Sequence, residues 1–307
     1  MERAVIVLTP TESKKLIAQA VCQMPEVQHA LNDGIVALHP SSSTYFIAEA
    51  ILGHRPPTKV WVCGAILPKG LCGDAISGVL LSGEGQPREA AGTPVSWTGH
   101  KREFTFTWVF KQGKLEPGRP LKDVLDEMGP GDFYMKGVNA IDPSGKVGIL
   151  IGAGRQPNLH DEVGGTIGRA MAHARGSGFQ VLFPVGLEKL IPISIEEASQ
   201  ETRPRNLSYS LGSGCYLLPG QGKVVTEVDA IKILSGATAV PVAAGGLSGA
   251  EGSVVLVVKG EAIEVNKAAE WAEKVKGARL PRVNEKNCEG CENEVCSLVK
   301  KNKPWVV

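Results

Sequence analysis

The chain has 307 residues, 43% of them apolar and 21% charged, which excludes wholesale disorder and allows a core that needs no disulfide staples. Lys and Arg number 33 against 32 Asp and Glu, and the net charge of +1 argues against a dedicated binder of nucleic-acid backbone. No apolar run approaches the roughly 18 residues of a membrane span, and Thr9, Pro10, Thr11 and Glu12 interrupt the apolar block a signal peptide would need. The expectation is a cytoplasmic protein, a homo-oligomer that binds neither nucleic acid nor membrane. Seven cysteines, odd in number and unevenly spread, read as thiols or metal ligands rather than a disulfide framework.

A strand is predicted over residues 3–8. Thr9, Pro10 and Glu12 then supply a cap, a first-position proline and a glutamate three residues after the cap, the signature of a helix start. Leu16, Ile17, Ala20 and Val21 give that helix an apolar face, which Pro25 is expected to close. A buried strand at 35–38, a helix at 45–52 stopped by Gly53 and a strand at 59–63 follow. Residues 64–130 read as a β-rich inserted lobe, because Phe104, Phe106, Trp108 and Phe110 alternate with Thr105, Thr107 and Val109 at the period of a half-buried strand. A helix at 121–128 ends the lobe. Strands at 133–138 and 147–151, a helix at 166–175, a strand at 179–184, a helix at 227–234, a strand at 253–258 and a helix at 261–276 resume the alternation.

Strands alternating with helices imply an α/β fold with a layered, mostly parallel sheet covered on both faces. The predicted domains are a discontinuous ligand-binding unit at 1–63 and 131–276, the inserted lobe at 64–130, and a cysteine-bearing tail at 277–307.

The most informative segment is the run Ser41, Ser42, Ser43, Thr44, which lies between a buried strand and a helix. First-turn N–H groups and the helix dipole favour an anion there, and hydroxyls add hydrogen bonds. The alternative is one serine as a cap with the others solvated, but four consecutive hydroxyls exceed what a cap needs. A second segment carries Lys136, Gly137, Asn139 and Asp142 at the mouth of the strand at 133–138. Asn139 is a candidate ligand. Asp142 is either a proton-transfer group or the first residue of an Asp-Pro-Ser-Gly turn.

These segments resemble, in this order, the superfamily of ribose-5-phosphate isomerase, glucosamine-phosphate deaminase, CoA transferase and the sugar-phosphate-sensing domains of bacterial repressors. The stretch from Ser42 to Ala50 is similar to the repressors' hydroxyl loop and helix, and that from Val138 to Gly145 to their glycine-rich strand end. Gly164, Gly165 and Thr166, followed by the strand at 179–184, look like the Gly-Thr helix of methylthioribose-phosphate isomerases. The stretch 185–192 resembles the lactate-utilisation domain of the same superfamily. The resemblance implies a Rossmann-like fold of the isomerase/CoA-transferase type and a small anionic partner, a phosphorylated sugar or CoA-like compound. Its ligands would be Ser41, Ser42, Ser43, Thr44, Asn139, Gly164, Gly165 and Thr166. The chain lacks the Asp-Gly-Ala-Asp-Glu and Glu-Asn-Gly motifs of the catalytic families. Asp142, Glu188 and Lys189 are the candidate catalytic residues. The last two follow a strand end, although the exposed face of a short helix is an equal reading for them.

Weaker signals remain. Gly152, Ala153, Gly154 and Arg155 carry proline where a dinucleotide fingerprint needs its third glycine. Residues 245–252 are dense in glycine and include Glu251, either a ligand-approach loop or a connector. Cys288, Cys291 and Cys296 bring three thiolates within reach of zinc or an iron–sulfur cluster, with a fourth ligand required from Cys63, Cys72, Cys215, a histidine or another subunit. A metal-carrying redox accessory protein and a non-catalytic ligand sensor are the alternative functions.

Overall fold

The computed structural model describes the chain apart from residues 57–59, 63–64, 68–69, 73–78, 82–106, 117–118, 120, 153–163, 203–209, 211, 213, 282 and 285–307. Cys288, Cys291 and Cys296, Cys63, Phe104 and Phe106, and Ala153, Gly154 and Arg155 therefore lie outside the described residues.

The chain opens with β1 (Glu2–Leu8), α1 (Pro10–Gln23), α2 (Pro25–Asp33), β2 (Ile35–His39) and α3 (Ser42–Leu52). Four short strands follow, β3 (Val60–Val62), β4 (Ala65–Leu67), β5 (Gly70–Cys72) and β6 (Val79–Leu81), then β7 (Trp108–Lys111), β8 (Lys114–Glu116) and α4 (Leu121–Glu127). Next come β9 (Phe133–Lys136), β10 (Ala140–Ile141), β11 (Val147–Gly152), α5 (Gly165–Ser177), β12 (Gln180–Pro184) and a single 3-10 turn at Leu187–Lys189. The remainder is α6 (Ile195–Thr202), β13 (Cys215–Pro219), β14 (Lys223–Val225), α7 (Glu227–Ser235), β15 (Thr238–Gly245), β16 (Ser253–Gly260), α8 (Ala262–Val275) and β17 (Val283–Asn284).

The start of α1 forms as its sequence dictates. Glu12 N–H donates to Thr9 Oγ1 at 3.4 Å, and Thr9 N–H donates to the Glu12 carboxylate at 2.9 Å. Pro25 does not simply close this helix. It occupies the first turn of α2, where a missing N–H costs nothing.

The architecture is mixed α/β around a six-stranded mixed sheet of order β14-β12-β9-β2-β7-β8. The four strands β14, β12, β9 and β2 are mutually parallel, β7 pairs antiparallel with β2, and β8 pairs antiparallel with β7. Side chains alternate across this sheet as a period of two requires. Val36, Leu38, Phe133, Met135, Leu182 and Val225 join a core cluster with α1, α2, α3 and α7. Ile35, Ala37, Tyr134, Val181 and Phe183 join the cluster with α4, α5 and β11. Trp108 and Phe110 fall on the first side and Val109 on the second, so this part of the expected lobe at 64–130 is built into the main sheet.

The strands expected to extend the parallel sheet, β1 and β16, pair antiparallel with each other, and β16 with β15, in a separate three-stranded sheet. Ile6 and Leu8 of β1 point into the first core cluster, whereas Val5 and Val7 are exposed. At the edge of this sheet β15 carries Pro241, a register shift between Pro241 and Ala243, and exposed Val240 and Val242. Among the described residues no helix is long and apolar enough to cross a membrane.

Asp132 fixes the entry of two central strands. Its Oδ1 accepts from Ile35 N–H at 2.7 Å and its Oδ2 from Gly129 N–H at 2.9 Å, tying the start of β2 to the turn before β9. Asp132→Ala leaves both donors without their charged acceptor and should lower stability by about 2–3 kcal/mol. Urea unfolding tests this. The expected result is a lower midpoint at unchanged slope, and an unchanged midpoint would contradict the assignment.

Candidate functional site

Parallel strands open their carboxyl ends toward the same side, and in open α/β sheets ligands bind there. β2 ends at His39, β9 at Lys136, β12 at Pro184 and β14 at Val225. His39 pairs in register with Lys136, and Pro184 with Val225. Each strand runs directly into a polar connection: Ser41 to Thr44 after β2, Gly137 after β9, Glu188 and Lys189 after β12, and Glu227 after β14.

The hydroxyl loop after β2 is partly consumed by its own helix. Ser41 is the N-cap of α3 and accepts from Thr44 N–H at 3.1 Å. Thr44 Oγ1 donates to His39 O at 2.6 Å, so the 2.9 Å contact between the two hydroxyls has Ser41 Oγ as donor. Ser41 and Thr44 thus behave as a cap and its brace. Ser42 is half-buried at the first helical position. Ser43 differs from the others, since it is 2% exposed and its Oγ has no hydrogen-bond partner. A Cβ at Gly137 would lie 2.6 Å from Ser41 Oγ and 3.6 Å from Ser43 Oγ. Only glycine lets the end of β9 pass this close to the serine loop.

Next to Gly137 stands Lys136. Burial, and then the Lys136 charge, hold the His39 imidazole well below its ordinary pKa, and His39 Nδ1 lies 3.0 Å from the Tyr134 hydroxyl. His39 is therefore neutral at physiological pH.

Beyond β9 lies a cluster of buried charge. Lys14, 8% exposed in the first turns of α1, pairs with Glu188 at 2.7 Å. The Glu188 carboxylate folds back over the Cα of Gly186, occupying the space a side chain there would need. Lys189 turns to a neutral partner, donating to Val138 O at 2.7 Å. Burial, followed by the charges of Lys14 and Lys136, pushes the Lys189 amine down to about 8 against the opposing pull of Glu188 and Glu227. Glu227, fully buried at the start of α7, accepts from Leu187 N–H at 3.0 and 3.1 Å. Burial pushes its carboxyl up to about 7, reinforced by Glu188, while the Ser13 hydroxyl and backbone N–H groups pull the other way. The glycine-dense turn between β15 and β16 reaches this cluster at its end. A Cβ at Gly252 would meet Pro10 at 3.1 Å and the Glu188 stem at 3.5 Å, whereas Glu251 is exposed and accepts from Gly249 N–H.

The other candidates serve the backbone. Asp142 Oδ1 accepts from Ser144 N–H, Ser144 Oγ and Lys146 N–H at 2.7 to 3.0 Å, and its Oδ2 accepts from Ile195 N–H at 3.0 Å. Burial raises its carboxyl, but those bonds overcome this and hold it below the usual range. Asp142 clamps its own turn and also fixes the start of α6, the turn reading of the Asp-Pro-Ser-Gly sequence. Asn139 Oδ1 accepts from Leu150 N–H at 3.0 Å while its own N–H donates to Gly148 O, which registers the β10–β11 hairpin. Gly164 caps α5 in a left-handed conformation against Leu218 of β13, Gly165 and Thr166 form the first turn of that helix, and no described contact brings them to the serine loop. Of the cysteines, Cys22 is pushed up to about 12 by burial and Cys215 is raised for the same reason. Among the described residues no group of three or more His, Cys, Asp or Glu could hold a metal ion.

Glu188, Lys189 and Ser43 are recognisable from their own sequence segments, whereas Lys14, Lys136 and Glu227 are not recognisable there as parts of one site. Lys136 and Glu227 are each the residue at, or two after, the end of a parallel strand, a positional signal that strand order would have exposed. Compared with known proteins, the chain matches no family model, no curated protein and no solved structure.

A carboxyl raised on folding contributes stability below its unfolded pKa and loses it as pH climbs through the folded value. For Glu227 that window runs from about 4.5 to about 7, with an ionisation cost of roughly 3 kcal/mol. Glu227→Gln keeps an acceptor for Leu187 N–H and removes the charge. Melting temperatures from pH 5 to 8 should fall less steeply in this variant, and parallel curves would refute the assignment.

Proposed function

We propose that the chain binds a small anionic metabolite, a phosphorylated sugar or CoA-like compound, in the polar connections at the carboxyl ends of β2, β9 and β12. The observation that carries this reading is the buried Ser43 Oγ without a partner, beside Gly137 in the first turn of α3. A buried hydroxyl left unsatisfied costs about 1–3 kcal/mol, and a ligand oxygen would relieve it. The helix N-terminus favours negative charge at the same place. Electrostatics agree. Lys136 at the end of β9, and Lys189, mostly protonated below about pH 8, bring positive charge to the side of the loop.

The four parallel strands are read as the centre of a layered, Rossmann-like arrangement of the isomerase/CoA-transferase type, which would put the ligand at the usual end of the sheet. Lys189 and Glu227 add proton-transfer capacity on either side of neutrality, which favours an enzyme of isomerase or transferase type over a passive sensor.

The test is a thermal-shift panel of sugar phosphates, CoA esters and inorganic phosphate. A true ligand at a hundred times its Kd stabilises by about 2.7 kcal/mol, a shift of roughly 5 °C. The expected result is such a shift for at least one organic phosphate, abolished in both Ser43→Val and Lys136→Met. No shift across the panel, or an equal shift in both variants, would overturn the reading.

A further inference from the structure

The cluster beside the serine loop contains one amine whose environment differs from the rest. Lys14 is committed to the Glu188 carboxylate at 2.7 Å, whereas the Lys189 hydrogen bond goes to a neutral carbonyl, Val138 O at 2.7 Å. Losing a proton therefore costs Lys189 no ion pair. Lys14 from α1 and Lys136 from the end of β9 repel its positive form, while the opposing pull of Glu188 is shared with Lys14 and Glu227 at the start of α7 is buried where its own charge is disfavoured. A desolvated lysine flanked by other cations is the environment in which an amine becomes a nucleophile at neutral pH. Simple anion binding needs none of this, since an ordinary ammonium serves a phosphate better.

We propose that Lys189 forms a Schiff base with the carbonyl carbon of an anionic aldehyde or ketone, with Lys136 and Ser43 receiving the anionic end and Glu227 exchanging the proton. This rests on the anion-binding reading and narrows its substrate class to carbonyl compounds. The neutral amine attacks the carbonyl carbon, a C–N bond forms, and the displaced π electrons settle on oxygen. The proton released from nitrogen passes to that oxygen, giving a carbinolamine. Protonated Glu227 then donates to the hydroxyl, the C–O bond breaks and water leaves. The nitrogen lone pair closes a C=N bond, leaving an iminium facing the Glu227 carboxylate. No oxidant or reductant is consumed.

The experiment treats the full-length protein with dihydroxyacetone phosphate, ribose 5-phosphate or pyruvate in the presence of borohydride, which reduces an iminium to a stable secondary amine. Glycerol 3-phosphate, which has no carbonyl, is the control. Peptide mass mapping should find the mass of one probe less an oxygen atom on Lys189, at least tenfold above any other lysine. The trapping rate at Lys189 should level off above about pH 8, while that at surface lysines keeps rising. Lys189→Arg keeps the charge and should abolish the adduct, and Glu227→Gln should slow trapping at least tenfold with the adduct still on Lys189. Thermal melts of both variants establish that they fold. A probe that shifts the melting temperature but leaves no adduct on Lys189, or adducts spread evenly over surface lysines, overturns the Schiff base and leaves anion binding standing. Neither shift nor adduct with any probe overturns both.

Discussion

The ion pair between Lys14 and Glu188 is the constraint from which the rest of the site follows. It joins the first helix to the turn after β12, with both side chains almost wholly removed from water. Removing one partner of such a pair leaves a buried charge uncompensated, at a cost of about 3–5 kcal/mol, whereas replacing both by apolar groups is often neutral or favourable. Retaining the pair is therefore poorly explained by stability alone. With Glu188 folded over Gly186 to reach Lys14, Lys189 is left to a backbone carbonyl, and Glu227 is left to the Leu187 N–H. Burial, more than the Glu188 charge, sets the protonation behaviour of those two groups.

That arrangement places an amine of depressed basicity and a carboxyl of weakened acidity within one electrostatic neighbourhood. In water the carboxyl would be ionised and the amine protonated across the whole neutral range. Burial brings the two titrations close together, so both protonation states of each group are accessible with little change in pH. The cost is carried by the hydrophobic faces of the main sheet, whose two core clusters enclose the strands beneath the site.

The elements that were legible in the sequence are those with strong local chemistry. Thr9, Pro10 and Glu12 announced α1, Gly53 ended α3 in a left-handed conformation, and the buried strands at 35–38 and 179–184 stand within a residue of their predicted bounds. Pairing was not legible. Nothing in the residues of β1 and β16 distinguishes a strand of the main sheet from one that pairs antiparallel elsewhere, because partner choice is decided by contacts more than two hundred residues apart. The same limit applies to the site. Ser43 is one of four hydroxyls in a row, and only the hydrogen bonds of the folded chain separate the two that brace a helix from the one left without a partner. Asp142 stood open between two readings for the same reason, since a carboxylate at a strand mouth looks the same in sequence whether it serves a ligand or its own backbone.

The outer edge of the three-stranded sheet bears on how molecules of this protein behave toward one another. A long border strand with exposed valines invites an incoming chain to extend the sheet, the first event in fibrous aggregation. Pro241 stands in the middle of β15, where it has no N–H to offer, and the backbone slips register immediately after it. A strand docking along this border would find its ladder of hydrogen bonds broken halfway. The molecule can thus leave Val240 and Val242 in contact with solvent without presenting a template for indefinite growth.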